Sequence, residues 1–109
     1  MITPLTYTIL LALADSDRHG YGIIKEIEAR LGAAAAPSTG ALYLALQRME
    51  GEGLLTESPT RPGAHEDARR RYYRITRQGR AAVVAESARL ERLVDAARQK
   101  DLLPRGADA

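Results

Sequence analysis

A regular spacing of apolar residues near the C-terminus constrains the fold of this 109-residue chain more than any other feature. Thr76 supplies a hydroxyl cap for a predicted last helix that runs to about Lys100. Within it the spacing of the apolar residues alternates between four and three, which is typical of a heptad-like helical seam. The seam consists of Val83, Ser87, Leu90, Val94 and Ala97, and Leu93 widens it. A helix of roughly 24 residues would be about 36 Å long at 1.5 Å per residue. A domain this small cannot cover such a helix, so we expect part of the seam to face a second copy of the chain.

A first, shorter helix is predicted at the N-terminus. Thr3 supplies a hydroxyl cap and Pro4 fits the first turn, and the helix is expected to run to about Ala14. Leu5 and Ile9 lie on its apolar face, one turn apart. We expect these two residues to contribute to the same interface between copies as the C-terminal seam.

Two further helices follow with clear start and stop signals. The second begins after the glycine-rich segment 20–22, carries an apolar face and stops near Gly32. The third begins at the capping residue Ser38 and is closed by the sequence EGEG at 50–53. Its apolar stripe is formed by Leu42, Leu46 and Met49.

The segment between the third helix and the long helix is predicted to form a two-stranded hairpin. Residues 54–58 and 71–75 favour strands, and Pro62-Gly63 between them signals a turn. Three helices followed by a hairpin are typical of a winged helix-turn-helix. The predicted fold is therefore mainly α: a winged helix-turn-helix over residues 1–75, a dimerisation helix over 76–103 and a flexible tail over 104–109.

The positive charge of the chain is concentrated on this hairpin. Residues 61–80 hold seven of the fourteen arginines, opposed by Glu66 and Asp67, for a local charge of +5. Residues 1–60 carry −3, and residues 81–109 are neutral. Such a local excess predicts contact with a polyanion, most commonly nucleic acid.

Several classes of function are disfavoured. The chain has no cysteine, and its two histidines, His19 and His65, have no metal-ligand partner at a suitable spacing. We interpret His19 as a turn residue and His65 as an exposed loop residue. No nucleophile elbow, phosphate-binding glycine loop or HExxH sequence is present, so we expect neither catalysis, nor a cofactor, nor a metal. No apolar run is long enough to span a bilayer, which predicts a cytoplasmic protein without membrane contact.

Five motifs in one register between residues 5 and 80 resemble the PadR family of transcriptional regulators. They are HGYGI at 19–23, STGALY at 38–43, LQRME at 46–50, EGL at 52–54 and RYYRITRQGR at 71–80. The resemblance implies a homodimeric winged-helix repressor of the short form, with one C-terminal dimerisation helix. It also implies double-stranded DNA with a pseudo-palindromic operator as partner, and a small hydrophobic or aromatic effector.

The same resemblance assigns candidate DNA contacts. The start of the recognition helix and its exposed face would contact groove and phosphates, and the basic wing would contact the backbone. The candidates implied by the resemblance are Tyr21, Ser38, Thr39, Gly40, Tyr43, Arg69, Arg70 and Arg71. Gln47 and Arg48 are added to them because of their position on the recognition helix. Leu44 and Gln47 depart from the family pattern, because more polar or basic residues are expected there. Arg48 is the only cation on the recognition helix, so we expect the wing to supply much of the affinity.

Two questions stay open at the level of the sequence. Tyr43 adjoins the apolar stripe of the third helix, so a core role and a phosphate contact are about equally favoured and are compatible. The fold could also serve as a protein-interaction or ligand-sensing module that does not bind DNA, an alternative favoured by the sparsely charged recognition helix. Salt-dependent binding to duplex DNA would distinguish the two.

Overall fold

The computed structural model describes residues 2–59 and 70–104, which form four α-helices and three short strands. In chain order the elements are α1 (Pro4–Leu13), β1 (Arg18–His19), α2 (Gly20–Leu31), α3 (Thr39–Gly51), β2 (Leu55–Glu57), β3 (Tyr72–Ile75) and α4 (Arg77–Gln99). A single 3₁₀ turn, Ala33–Ala35, links α2 to α3. The mainly helical fold with a small antiparallel sheet agrees with the predicted winged helix-turn-helix.

The three hydroxyl caps expected from the sequence are present. Thr3 Oγ1 accepts the backbone N–H of Thr6 at 3.1 Å, and Ser38 Oγ accepts that of Ala41 at 3.2 Å. Thr76 Oγ1 accepts the N–H of Gly79 at 3.0 Å. Each cap satisfies a donor that has no partner within its own helix, which fixes where α1, α3 and α4 begin.

His19 corrects the sequence-based interpretation, because it is not a turn residue. It lies in strand β1 with an extended backbone, and its ring caps α2: Nδ1 accepts the N–H of Gly22 at 3.0 Å. β1 pairs antiparallel with β3, opposite Tyr72, and β3 pairs in turn with β2. The sheet therefore has three strands in the order β1-β3-β2 rather than the two of the predicted hairpin.

Helix α1 is central to the core, since it contacts α2, α3, α4 and β3. Ile9 and Leu10 on α1 are fully buried. The predicted stripe of α3 is buried as expected: Leu42 and Met49 are 0% exposed and Leu46 is 1% exposed. Burying a side chain of this size stabilises the fold by about 1.5–3 kcal/mol. This core fixes the position of α3 relative to the sheet.

A network of backbone contacts joins the start of α4 to the end of α3. The Thr76 hydroxyl donates to the carbonyl of Gly53 at 2.6 Å, and the Thr76 N–H donates to the carbonyl of Leu54 at 3.2 Å. Gln78 Nε2 donates to the carbonyl of Glu52 at 3.2 Å. Gly79 lies so close to the Leu54 carbonyl that a methyl group on Gly79 would overlap it. The wing, the end of α3 and the first turn of α4 are thus rigidly connected.

Within the described part of the chain, the buried residues of α4 all lie in the first half of the helix; they are Gly79, Val83 and Glu86. Val83 is buried, and the Tyr7 hydroxyl on α1 lies 2.8 Å from the hydroxyl of Ser87. Further along the helix Leu93 is 53% exposed. The described residues extend over 50 × 27 × 23 Å, as expected for a helix that projects from its domain. No helix in the described part of the chain combines the length and apolar character needed to cross a membrane.

Candidate nucleic-acid interface

The N-terminus of α3 is an open surface. Ser38, Thr39 and Gly40 are all exposed, and a Cβ atom on Gly40 would have no other atom within 4 Å. The first N–H groups of a helix have no intrahelical partner, and the helix dipole makes this end attractive to anions. The geometry suits a phosphate at the start of α3, with Gly40 permitting close approach.

The outward face of α3 carries two more of the candidates, Tyr43 and Gln47, together with Leu44. Tyr43, Leu44 and Gln47 are exposed, whereas Ala45 on the opposite face is buried. Leu44 is 70% exposed, which is unusual for a leucine within a helix that packs on a core. This face therefore presents apolar and amide groups to solvent rather than charges.

Tyr43 both packs on α2 and reaches the surface. Its hydroxyl lies directly over Gly20, at the first position of α2, where a methyl group would overlap it. The side chain nevertheless stays 48% exposed. The two roles left open by the sequence are thus geometrically compatible: packing on Gly20 is present, and the phosphate contact stays a prediction.

Arg48, the single cation of α3, is turned toward its own protein. Nη2 donates to the hydroxyl of the buried Thr6 at 3.0 Å, and Nη1 contacts Glu52 at 3.2 Å. Both ends of the guanidinium are therefore occupied. A DNA contact by Arg48 would require it to leave these partners, whereas Gln47 has no such competing bond among the described residues.

At the base of the wing, Arg70 and Arg71 are exposed, while Arg69 lies outside the described residues. Arg71 Nη2 contacts Glu57 at 3.2 Å, and this hydrogen bond raises the pKa of Arg71 above its ordinary value. Both side chains of the pair are more than half exposed. Such pairs contribute about 0–1 kcal/mol, so Arg71 is readily available to a phosphate.

Arg70 joins a cluster of aromatic and basic side chains at the start of α2. Its guanidinium carbon lies 5.9 Å from the ring centre of Tyr21, and Nη1 lies 3.1 Å from His19 Nε2. Lys25 Nζ lies 5.2 Å from the same tyrosine ring, and hydrogen bonding to Tyr21 and Glu28 raises the pKa of Lys25. We call Tyr21, Lys25, Arg70 and His19 the basic-aromatic cluster.

Sequence reasoning found Tyr21 and Arg70 but missed Lys25 and His19 as members of this surface. Lys25 follows Tyr21 by four residues on α2, so helical spacing alone places the two side chains on one face. No comparable local signal existed for His19, because its neighbour Arg70 is 51 residues away in the chain.

Two other arginines of the basic segment, Arg74 and Arg80, form hydrogen bonds to groups of the chain itself. The Arg74 guanidinium contacts the Asp17 carboxylate, with Nη2 2.8 Å from Oδ2 and Nε 3.2 Å from both oxygens. The Ser58 hydroxyl donates to the same carboxylate, which is only 19% exposed. Arg80 donates to the carbonyl of Ala14 at 2.8 Å. The local charge of +5 thus overstates the charge available to a partner.

The residues predicted to form a dimer interface are divided between core and surface. Ile9 is fully buried and Val83 is 6% exposed, so neither offers a partner much surface in this conformation. Leu93 is exposed. The others are half-buried: Leu5, Ser87, Leu90, Val94 and Ala97.

No metal centre is found among residues 2–59 and 70–104, where no group of three or more histidine, aspartate or glutamate side chains converges. His65 lies outside this range. The buried polar side-chain atoms of the described residues all have hydrogen-bond partners. The chemistry of this surface is therefore that of binding through N–H groups, amide, hydroxyl, aromatic and guanidinium groups.

A helix-turn-helix pair whose second helix has an exposed outer face, followed by an antiparallel sheet with exposed arginines, defines a winged helix-turn-helix protein. Here the pair is α2 and α3. Comparison with protein families identifies the group within this class. The chain belongs to the transcriptional regulator PadR-like family, whose model matches residues 9–85. Members of this family are transcriptional regulators, in agreement with the prediction that the chain is not an enzyme.

Solved structures show the same similarity. A PadR family transcription regulator from Clostridium difficile R20291 is 25% identical, with a TM-score of 0.75 over 89% of this chain and 97% of that one. A transcriptional regulator from Clostridium thermocellum is also 25% identical, with a TM-score of 0.71 over 91% and 97%. Bacillus subtilis PadR, solved in complex with operator DNA, shares the fold at 24% identity and a TM-score of 0.64, over 76% of this chain and 46% of that one. No curated protein sequence matches the chain.

Proposed function

We propose that this protein is a homodimeric, sequence-specific DNA-binding repressor that responds to a small effector. The observation that carries the DNA-binding part is a continuous chain of contacts between helix and wing. Tyr43 of α3 packs on Gly20, and the next residue, Tyr21, lies beneath Arg70 at the base of the wing. The N-terminus of α3 and the basic-aromatic cluster therefore share one surface.

This surface supplies the groups that duplex DNA requires. Free N–H groups at Thr39 and Gly40 suit a phosphate, Gln47 suits a base edge, and Arg70 and Arg71 suit the backbone. The operator complex of Bacillus subtilis PadR supports the same use of the fold here. Two α3 helices, one from each subunit, would contact half-sites about one helical turn apart.

The dimer would form along the distal half of α4. Its apolar surface includes Leu90, Leu93 and Val94, and the segment after it exposes Leu102 at 71% and Leu103 at 43%. Burial against a second copy would remove this surface from water at about 25 cal/mol per Å². Sedimentation of the chain and of Leu93→Asp tests this: the wild type should be a dimer and the variant a monomer.

The effector would bind between α1 and α4. A cavity of about 430 Å³ lies there, with Pro4, Tyr7 and Leu90 as apolar lining and Glu86 paired to Arg89 at its edge. The hydrogen bond that the Arg89 guanidinium donates to the Glu86 carboxylate lowers the pKa of that carboxyl. Small aromatic compounds should shift the melting temperature and operator affinity; a screen without either effect would remove this part of the proposal.

The DNA-binding proposal is tested by selecting bound duplexes from a random library and titrating salt against the selected duplex. Arg70→Ala and Arg71→Ala should weaken binding to all sequences about equally and flatten the salt slope by roughly 0.9 for each lost phosphate contact. Arg30→Ala is the matched control, because Arg30 is an exposed cation nine residues along α2 from Tyr21, about 14 Å away.

The outcome separates the proposal from its rival. If no duplex binds in a salt-dependent manner, the fold serves protein interaction or ligand sensing instead. The observation that favours this rival is that Arg48 is bonded to Thr6 and Glu52 and that Arg74 is bonded to Asp17, so both cations already have partners within the chain. Gln47→Ala should change the preference among bases, and an equal loss on every sequence would make Gln47 a positioning residue.

A further inference from the structure

The chemistry of α3 restricts which base pairs it can distinguish. Residues 39–47 contain no charged side chain, and Arg48 is held by Thr6 and Glu52. A guanine edge is most commonly contacted by arginine or lysine, which present two donors to its two acceptors. Such a donor pair is not available on the outward face of α3.

Two other groups on this face do match base edges. Leu44 follows Gly40 by four residues and precedes Gln47 by three, so all three lie on one side of the helix. The Gln47 amide can bond an adenine edge, and an apolar side chain can contact the 5-methyl group of thymine. Both groups therefore match the two bases of an A·T pair.

Leu44 is exposed on the outward face of α3, and its neighbours on the helix are small. At 70% it is the most exposed large apolar side chain on any helix of the described residues. Single exposed leucines are common on protein surfaces, so exposure alone decides nothing. Here the neighbours are Gly40, whose missing side chain permits close approach, and the exposed Ala41. The helix can thus enter a groove deeply enough for Leu44 to meet a base.

We propose that Leu44 determines specificity by contacting a thymine methyl group, so that α3 selects A·T pairs at the centre of each half-site. This inference rests on the proposed function, because it requires DNA in contact with α3. Removing one methylene-sized group from an apolar contact costs about 0.8 kcal/mol, which corresponds to about fourfold in affinity.

The experiment uses the duplex selected from the random library, with each thymine replaced in turn by deoxyuridine, which removes only the methyl group. For the wild-type protein, each half-site should contain one thymine whose replacement, made alone, weakens binding about fourfold. Leu44→Ala should bind the thymine duplex more weakly and lose its sensitivity to that replacement. Leu31→Ala is the matched control, because Leu31 is 50% exposed at the far end of α2. It should retain the wild-type response.

Each result has one meaning. Tight binding with no deoxyuridine effect at any position overturns the role of Leu44 but leaves the DNA-binding proposal intact. The same holds if Leu44→Ala keeps the wild-type penalty, or if the selected half-sites contain no A·T pair opposite α3. Failure to bind any duplex overturns the proposed function, and this inference falls with it.

Discussion

The outward face of α3 and the base of the wing use opposite means to form one surface. The face of α3 carries no charged side chain before Arg48, and Leu44 and Gln47 on it are exposed. The basic segment is rich in arginine, but Arg74 is bonded to Asp17 and Arg80 to the carbonyl of Ala14. Charge density in a sequence is therefore a poor measure of the charge that a partner can use. The outward face of α3 has fewer charges than the wing, but its side chains are more accessible to a partner.

The largest effect is expected at the junction between the wing and α4. Gly79→Ala should lower the free energy of unfolding by about 3 kcal/mol, because the added methyl group would overlap the Leu54 backbone carbonyl. Gly40→Ala on the open face of α3 is the matched control. It should be neutral or stabilise by up to about 1 kcal/mol, since nothing surrounds that position. Denaturant titration measures both, and equal stabilities would remove the contrast between a packed wing and an open helix.

The next largest effect concerns the carboxylate that holds the wing. Asp17→Asn should cost about 2 kcal/mol, because it removes the charge bonded by Arg74 and weakens the bond from Ser58. Asp15→Asn provides the control: Asp15 is 65% exposed and lies 3.4 Å from Arg18. Thermal and chemical unfolding should show almost no change for it. A similar loss in both variants would mean that net charge, rather than the Asp17 contacts, stabilises the wing.

A smaller effect should separate the two roles of His19. His19→Ala removes the cap of α2 and should cost about 1 kcal/mol, whereas His19→Asn keeps an acceptor for the Gly22 N–H and should stay close to wild type. Both variants remove the ring beside Tyr21 and Arg70. If both weaken DNA binding equally while only the alanine variant is destabilised, the ring contributes to the surface independently of the cap. Equal stability would show that the cap contributes nothing.

The smallest effect on stability is expected from the exposed pair at the wing. Glu57→Gln should change the free energy of unfolding by less than about 1 kcal/mol. It should nevertheless raise DNA affinity, because it frees Arg71 and removes a negative charge near the phosphates. The same change in an Arg71→Ala background should raise affinity less, which a double-mutant cycle measures. Equal gains in both backgrounds would mean that Glu57 acts only through its charge.

Local chemistry allowed most of the helices to be predicted. Thr3, Ser38 and Thr76 were recognisable as caps because capping depends on residues within one turn. Gly32, at the end of α2, has a φ of 93°, which explains why glycine signalled the stop. The buried stripe of α3 followed from its period.

What the sequence could not provide depends on contacts between distant segments. β1 has two residues, too few for any periodicity, and exists because β3 lies beside it. Arg74 is 57 residues from Asp17, and Arg48 is 42 residues from Thr6, so neither pairing has a local signal. Similarly, Ile9 has the same helical pattern whether it faces the core or a partner. The sequence thus predicted which segments carry the candidate site, but it did not predict which arginines within them are accessible.

The bonds between the first turn of α4 and the end of α3 have a mechanical consequence. Thr76 and Gln78 bond the carbonyls of Gly53 and Glu52, directly after the helix that would enter the groove. In the proposed dimer, α4 would therefore act as a lever whose short arm is α3. A change in how two α4 helices cross would alter the tilt of each α3 in its groove, as well as the distance between them.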